Sequence, residues 1–189
     1  MKMLFLLSLS LLLALVNITN FSYASINSEG FAEFSFMVHI PKNTCEVVIN
    51  GTSANMIDFG NIPLNKFKSD ASTGALKSAF TVKLANCRNN NFSDTRITLD
   101  GNYIEATNGF MDTEGKTFAV RISDKDNAIQ ASTDFFTNKN NTIWKDIKDD
   151  KQEKKYYAYL MCKTGVGDCS GNENIGKFKA TLTLTFISD

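Results

Sequence analysis

The chain has few of the residues on which metal and hydrolytic chemistry depend. Among 189 residues there are one histidine, one tryptophan and two prolines. With His39 as the only histidine and no C-x-x-C spacing, neither a zinc cluster nor a histidine-based catalytic triad has support. Lysine plus arginine equals aspartate plus glutamate, so no net field favours nucleic acid or an anionic membrane. We therefore expect a non-enzymatic protein without metal or cofactor.

The one long apolar run stands at the N-terminus. Residues 3–16 (MLFLLSLSLLLALV) are fewer than the about 20 residues that a membrane span needs. A basic residue, Lys2, precedes the run, and the Ser-Tyr-Ala sequence ending at Ala24 fits the small-x-small site read by signal peptidase. We expect residues 1–24 to be a cleaved signal peptide rather than an uncleaved anchor. The remaining 165 residues (189 − 24) suit one exported domain.

Export changes how the four cysteines are interpreted. An even number of cysteines in an oxidising compartment indicates two disulfides, for which three connectivities are possible. We predict Cys45–Cys87 and Cys162–Cys169, the second because only a short loop separates its cysteines. Closing the longer loop should stabilise the fold by about 4 kcal/mol in the chain-entropy model.

The last part of the chain carries the clearest secondary-structure signal. After Gly176, apolar and polar residues alternate without a break, which places all apolar side chains on one face of a strand. The apolar set is Phe178, Ala180, Leu182, Leu184 and Phe186. Nothing long enough to form another strand follows, so the far edge of this strand needs a partner from earlier in the chain or from another molecule.

Shorter alternating runs separated by turn signals fill the rest of the mature chain. An early run has apolar residues at alternate positions up to Ile40, just before Pro41. We expect a loop over residues 65–77, a solvated loop over residues 145–155, and no amphipathic helix. Many short strands with regular turns predict an all-β sandwich.

Five segments together carry a family resemblance. They are TCEV (Thr44–Val47), IDFGNI (Ile57–Ile62), FTVKLANC (Phe80–Cys87), FAVRISD (Phe118–Asp124), and a glycine, Gly176, fourteenth from the end before the terminal alternating strand. In order and spacing they resemble the subunits of type 1-like fimbriae (pilins) assembled by the chaperone–usher route. One departure is Ser188, which stands where the family commonly has an aromatic residue.

The resemblance implies an immunoglobulin-like β-sandwich that lacks its last strand. A periplasmic chaperone would lend a strand to the open groove, and at the outer-membrane usher the N-terminal arm of the next subunit would replace it. Neighbouring pilin subunits would then form a head-to-tail polymer in a fimbria on the cell surface, supporting cell adhesion. On this basis we divide the chain into a signal peptide (1–24), a donor-strand arm (25–36) and a pilin domain (37–189).

The resemblance also assigns individual residues. The donor strand would present the alternating residues Ile26, Ser28, Gly30, Ala32, Phe34 and Phe36. The acceptor groove would be flanked by Val38 and Ile40 on one side, and on the other by Gly176 and the apolar residues of the terminal strand, which would also pair with the chaperone.

Two other functions stay open as alternatives. A glycan-binding fimbrial adhesin would place a lectin domain before the pilin domain, but the first cysteine is already residue 21 of the mature chain (45 − 24), which leaves no room for one. A secreted β-sandwich hydrolase would need a catalytic constellation that the sequence does not offer. Among fimbrial subunits, the sequence leaves open whether this is a rod subunit, a minor adaptor or a terminator.

Overall fold

The computed structural model describes residues 31–39, 45–50, 56–88, 92, 94–113, 115–162 and 176–188. These residues form eleven strands and one short helix. In chain order they are β1 (Phe31–His39), β2 (Glu46–Asn50), β3 (Met56–Asn61), α1 (Leu64–Asp70), β4 (Lys77–Ala85), β5 (Arg96–Gly101), β6 (Tyr103–Ile104), β7 (Gly109–Phe110), β8 (Phe118–Ser123), β9 (Thr142–Lys145), β10 (Glu153–Cys162) and β11 (Phe178–Ile187).

The strands form two sheets that pack face to face, so the predicted all-β sandwich is confirmed. Sheet one has the order β3-β1-β11-β5-β9, and sheet two has the order β2-β4-β10-β8-β7-β6. Buried residues of β11, β5, β4 and β8 meet between the sheets in one apolar core. The chain's own β1 occupies a position inside sheet one, whereas the sequence led us to expect a donated strand there.

A disulfide ties the beginning of β2 to the end of β4. Cys45 and Cys87 are bonded, with their Cα atoms 4.0 Å apart, which confirms the first predicted pair. Cys162, at the end of β10, is also disulfide-bonded. Its predicted partner Cys169 lies outside the described residues.

Two of the predicted loops are wrong in part. Residues 65–77 include most of α1, whose only buried residue is Phe67, packed edge-on against Phe118 with ring centroids 5.0 Å apart. A single buried residue leaves no apolar stripe for a sequence reading to detect. In the predicted loop 145–155, Lys145 ends β9 and Glu153 begins β10. Their charged side chains point outward at strand ends, so they hide the strand pattern.

No helix in the described part of the chain is long and apolar enough to span a bilayer.

A buried arginine joins three segments at one end of sheet two. Arg121 of β8 is 2% exposed, and its guanidinium donates hydrogen bonds to the carbonyl oxygens of Thr107 (2.8 Å), Cys162 (3.0 Å) and Gln130 (3.1 Å). Its Cζ atom also lies 5.5 Å from the centre of the Phe135 ring. Burial lowers the pKa of this guanidinium from its ordinary value. The side chain is therefore a structural crosslink between backbone segments.

We expect Arg121→Met to lower the free energy of unfolding by about 3 kcal/mol or more, because buried carbonyl groups lose charged donors. Arg121→Lys should recover only part of this, since an ammonium group lacks the planar fork that reaches several acceptors. The measurement is urea unfolding followed by the emission of the single tryptophan, Trp144. Arg88→Met, the same change at an exposed arginine, should stay within about 0.5 kcal/mol of the original protein. Equal losses for both variants would contradict this role.

Candidate functional site

The candidate site is the gap in sheet one between β3 and β11, which we call the β1 cleft. β1 fills it, antiparallel to β3 and parallel to β11. The register with β11 runs from Ala32 beside Phe178 to His39 beside Thr185. Without β1, both β3 and β11 would present unpaired backbone groups to the cleft, which is costly unless another strand pairs with them.

The β11 side of the cleft has the alternation that the sequence predicted. Its alternating apolar residues from Phe178 to Phe186 are buried, and the residues between them are half-buried or exposed. Ala180, Leu182 and Leu184 have no exposed surface. They stand beside Phe34, Phe36 and Val38 of β1 in the register. A continuous apolar row therefore follows the cleft along its length.

Phe36 anchors β1 in the core. It is 6% exposed, and its ring centroid lies 4.7 Å from that of Phe80, on β4 of the opposite sheet. Val38 is half-buried and packs against the same core. Met37, between them, points outward with 60% of its surface exposed. β1 thus presents alternate residues to the core and to solvent, as a strand in the middle of a one-sided sheet must.

Phe36 begins a series of aromatic contacts that crosses the sandwich. Phe80 stacks on Tyr156 with centroids 5.7 Å apart, and Tyr156 contacts Phe136 at 6.1 Å. The Tyr156 hydroxyl donates a 2.8 Å hydrogen bond to the carbonyl oxygen of Ile143. Burial, and to a lesser degree the charge of Asp124, raise the pKa of Tyr156 well above its ordinary value. Phe80, on which Phe36 packs, is therefore itself supported by a buried aromatic neighbour.

Polar contacts hold β1 on its outer face. The hydroxyl oxygens of Ser35 and Thr181, which are register partners on β1 and β11, lie 3.3 Å apart. The Thr181 hydroxyl in turn donates a 2.6 Å hydrogen bond to the Asp112 carboxylate. This face is largely open to solvent, so we expect it to contribute less to holding β1 than the buried contacts of Phe36.

The structure brings together only some of the residues predicted for the site. Ile26, Ser28, Gly30 and Ile40 lie outside the described residues. Ala32, Phe34 and Phe36 lie on β1, beside β11 of the same chain. Gly176 precedes β11 and has a left-handed φ of +99°, a conformation that favours glycine.

The placement of Val38 as a wall of the groove needs correction. Val38 lies on the strand that fills the cleft, and β1 runs without interruption across the boundary that we drew between residues 36 and 37. The wall opposite β11 is β3. The sequence shows the same alternation on either side of residue 36, so it does not reveal where an arm ends and a wall begins.

Three further parts of the site escaped the sequence reading. The sequence does not indicate that β3 is a neighbour of β1. It also does not indicate that Phe80 packs on β1 or that Tyr156 stacks on Phe80. Pairing between strands far apart in sequence leaves no local pattern, so only contacts in the folded chain identify these residues.

One comparison with known proteins gives a match. The family model described as Fimbrial protein matches residues 33–188, from within β1 to just beyond β11. The match therefore includes both strands that wall the β1 cleft and most of the strand that fills it. A search of curated proteins gives no match.

The raised pKa of Tyr156 predicts a pH dependence of stability. In the unfolded chain this phenol ionises near pH 10, whereas in the fold it stays neutral to higher pH. The contribution of this phenol to the free energy of unfolding is fully present below about pH 10. It falls as the pH rises further, by up to about 1.4 kcal/mol per pH unit. We expect Tyr156→Phe to lose about 1 kcal/mol at pH 7 through its hydrogen bond, and to decline less steeply above pH 10. Urea unfolding at several pH values measures both, and parallel curves would contradict the assignment.

Proposed function

The chain belongs to the fimbrial protein family, and on that premise we propose that it is a structural, non-enzymatic subunit assembled by strand exchange at the β1 cleft. The observation that carries the proposal is that β1, the first strand of the described residues, fills an internal position of sheet one. Its release would open a gap between β3 and β11. Another strand can then take its place and complete the sheet again.

The direction of β1 supports its displacement. Among the strand pairs of the described residues, β1–β11 is the only parallel one. Parallel pairing is slightly less stable per residue than antiparallel pairing. A strand entering from another subunit in the opposite direction would be antiparallel to β11, where β1 has eight register partners, and parallel to β3, where β1 has five. Such an exchange would therefore gain more antiparallel pairing than it loses.

The assembly route follows from what an empty cleft would expose. Leu182 and Leu184, both without exposed surface while β1 is in place, would face solvent together with the unpaired edge of β11. We propose that the signal peptide directs export and that a periplasmic chaperone then lends a strand to the cleft. An outer-membrane usher would catalyse the replacement of that strand by the arm of a neighbouring subunit. Cell adhesion would be the function of the finished fibre.

We expect Phe36→Asp to abolish incorporation into fibres. The substitution places a charge where a ring now packs on Phe80, and burying an unpaired carboxylate is strongly unfavourable. Fibres purified from cells that express the variant should contain at least tenfold less of the subunit by immunoblot.

The matched control is Met37→Asp, one residue further along the same strand. Met37 is 60% exposed and its side chain points outward, so this variant should enter fibres as the original chain does. Normal incorporation of Phe36→Asp, or equal loss for both variants, would contradict exchange at the β1 cleft.

A disulfide that locks β1 in its own cleft should also block assembly. Ser35 and Thr181 are register partners whose hydroxyl oxygens lie 3.3 Å apart, so Ser35→Cys with Thr181→Cys places two thiols within bonding reach in the oxidising periplasm. We expect the double variant to accumulate as a folded monomer and each single variant to assemble. Non-reducing electrophoresis and electron microscopy of fibres provide the measurement. Fibres built at the normal level from chains with the bridge intact within one molecule would rule out release of β1.

A further inference from the structure

We propose that the outer face of sheet two carries a binding site for an acidic sugar, a pyranose that bears a carboxylate. The site lies apart from the β1 cleft, which belongs to sheet one. The inference rests on the proposed function and deepens it, because it names the class of ligand that a fibre of such subunits would hold. We call the site the lysine face, and its residues are Lys77, Ala79, Thr81 and Lys83 on β4 and Lys155 and Tyr157 on β10.

The lysine face is the part of sheet two that stays open to solvent. At one end of the outer face, Ala128 and Phe135 pack with Tyr159 and Met161 in a small apolar cluster, and Tyr157 lies at the margin of that cluster. The outward residues of the neighbouring β4 are exposed or half-buried. In the described chain, the covered area therefore ends at Tyr157, and a ligand can reach the strands beyond it.

The centre of the lysine face is low because its residues are small. Ala79 is exposed and Thr81 is half-buried, at adjacent outward positions of β4. Tyr157 stands beside Ala79 in the register, and Lys155 stands beside Thr81. Such cross-strand neighbours have their Cβ atoms about 5 Å apart. The large side chains of β10 therefore form a wall along a floor of methyl and hydroxyl groups.

Tyr157 offers an aromatic surface that its neighbours hold in place. Its ring centroid lies 6.3 Å from that of Tyr159, which has no exposed surface. The Tyr159 hydroxyl donates a 2.6 Å hydrogen bond to the carbonyl oxygen of Lys125. A tyrosine so placed supplies an apolar body and a polar tip. A sugar ring has the same two characters, since its C–H groups are apolar and its hydroxyl groups are polar.

Two ammonium groups flank this ring. The Nζ atom of Lys155 lies 5.2 Å from the Tyr157 ring centroid, and that of Lys77 lies 5.6 Å from it. Both distances are within the range of cation–π attraction. Lys77 also donates a hydrogen bond to the backbone carbonyl oxygen of Asp126, which limits the movement of its side chain. Positive charge is therefore held on both strands beside one aromatic ring.

The charge of the lysine face is not neutralised by ion pairs. Within the described residues, no carboxylate forms a salt bridge with Lys77, Lys83 or Lys155. Glu153 stands beside Lys83 in the register and reduces the positive potential at that end of the face. The potential is therefore most positive beside Tyr157. A carboxylate on a pyranose fits this end, because the ammonium groups can donate charge-assisted hydrogen bonds to it while the sugar ring lies on the tyrosine.

A shallow site of this kind is useful when it is repeated. A single copy exposes its ligand to solvent, which weakens each ionic contact. In the proposed fibre every copy of the chain would carry one lysine face, and exchange at the β1 cleft does not itself cover sheet two. Several weak contacts on one fibre can exceed the affinity of a single contact by about 10²–10⁴.

The test uses the full mature chain and sialyllactose, a trisaccharide whose terminal pyranose carries a carboxylate. Two control probes separate the parts of the ligand. Lactose has the neutral sugars alone, and the dipeptide Glu-Glu has carboxylates without a sugar ring. We expect sialyllactose to bind at least about fivefold more tightly than either control. Amide chemical shifts of the isotope-labelled chain provide the measurement, and the shifts should be concentrated in residues 77–83 and 155–157.

Two variants examine the charge and the shape of the site separately. Lys155→Gln removes a cation beside the ring, and Ala79→Gln fills the floor without changing the charge. Both positions are exposed, so both variants should fold. Each should bind sialyllactose at least about fivefold more weakly. The matched control is Lys179→Gln, the same change at an exposed lysine of β11 in sheet one, which should bind as the original chain does.

Equal binding of sialyllactose and either control probe would overturn the inference, as would unchanged affinity in either variant. If no sialyllactose binds while Phe36→Asp still blocks incorporation into fibres, strand exchange stands and only the lysine face is wrong. If sialyllactose binds as expected while Phe36→Asp chains enter fibres normally, the lysine face stands and the proposed assembly is wrong.

Discussion

The pairing of β1 with β11 is the contact on which sheet one depends. β11 lies in the middle of the sheet and needs a neighbour on each edge. β5 satisfies one edge, and in the described chain β1 is what satisfies the other. Leu182 and Leu184 have no exposed surface with both neighbours in place. Under the proposed strand exchange, the cleft needs an occupant at every stage, and the function depends on which strand occupies it.

The sequence predicted the parts of this arrangement that are local. The alternation of β11 is strict because one of its faces packs on the second sheet, and this period of two is visible residue by residue. The Cys45–Cys87 bridge joins adjacent antiparallel strands, and that prediction is also confirmed. The sandwich follows from the number of short strands. The alternation is encoded within a few residues. The bridge spans 42 residues, and its prediction rested on the cysteine count and on the short loop of the other pair.

The parts that were missed depend on contacts between distant segments. The short β9 and the helix α1 each have few buried residues, so they leave too little pattern to detect. The alternation that marks β1 as a strand does not say whether it pairs with β3, with β11 or with another molecule. Val38 was placed on the wall of the cleft for that reason, although it lies on the strand that fills it. The strands with which β1 pairs, and the register of that pairing, are set by contacts across the whole sandwich and not by the sequence of β1 alone.

The proposed strand exchange places two opposing demands on the β1 cleft. A subunit awaiting assembly would have to keep its core covered, and β1, as part of the same chain, has an advantage over any free strand at low concentration. The same subunit must release β1 when a better occupant arrives. Parallel pairing and the outward, solvated position of Met37 limit how firmly β1 is held, while the burial of Phe36 prevents early release. In the proposed exchange Phe36 contributes to both states, so its burial alone does not favour one over the other. The direction of pairing with β11 is what distinguishes them.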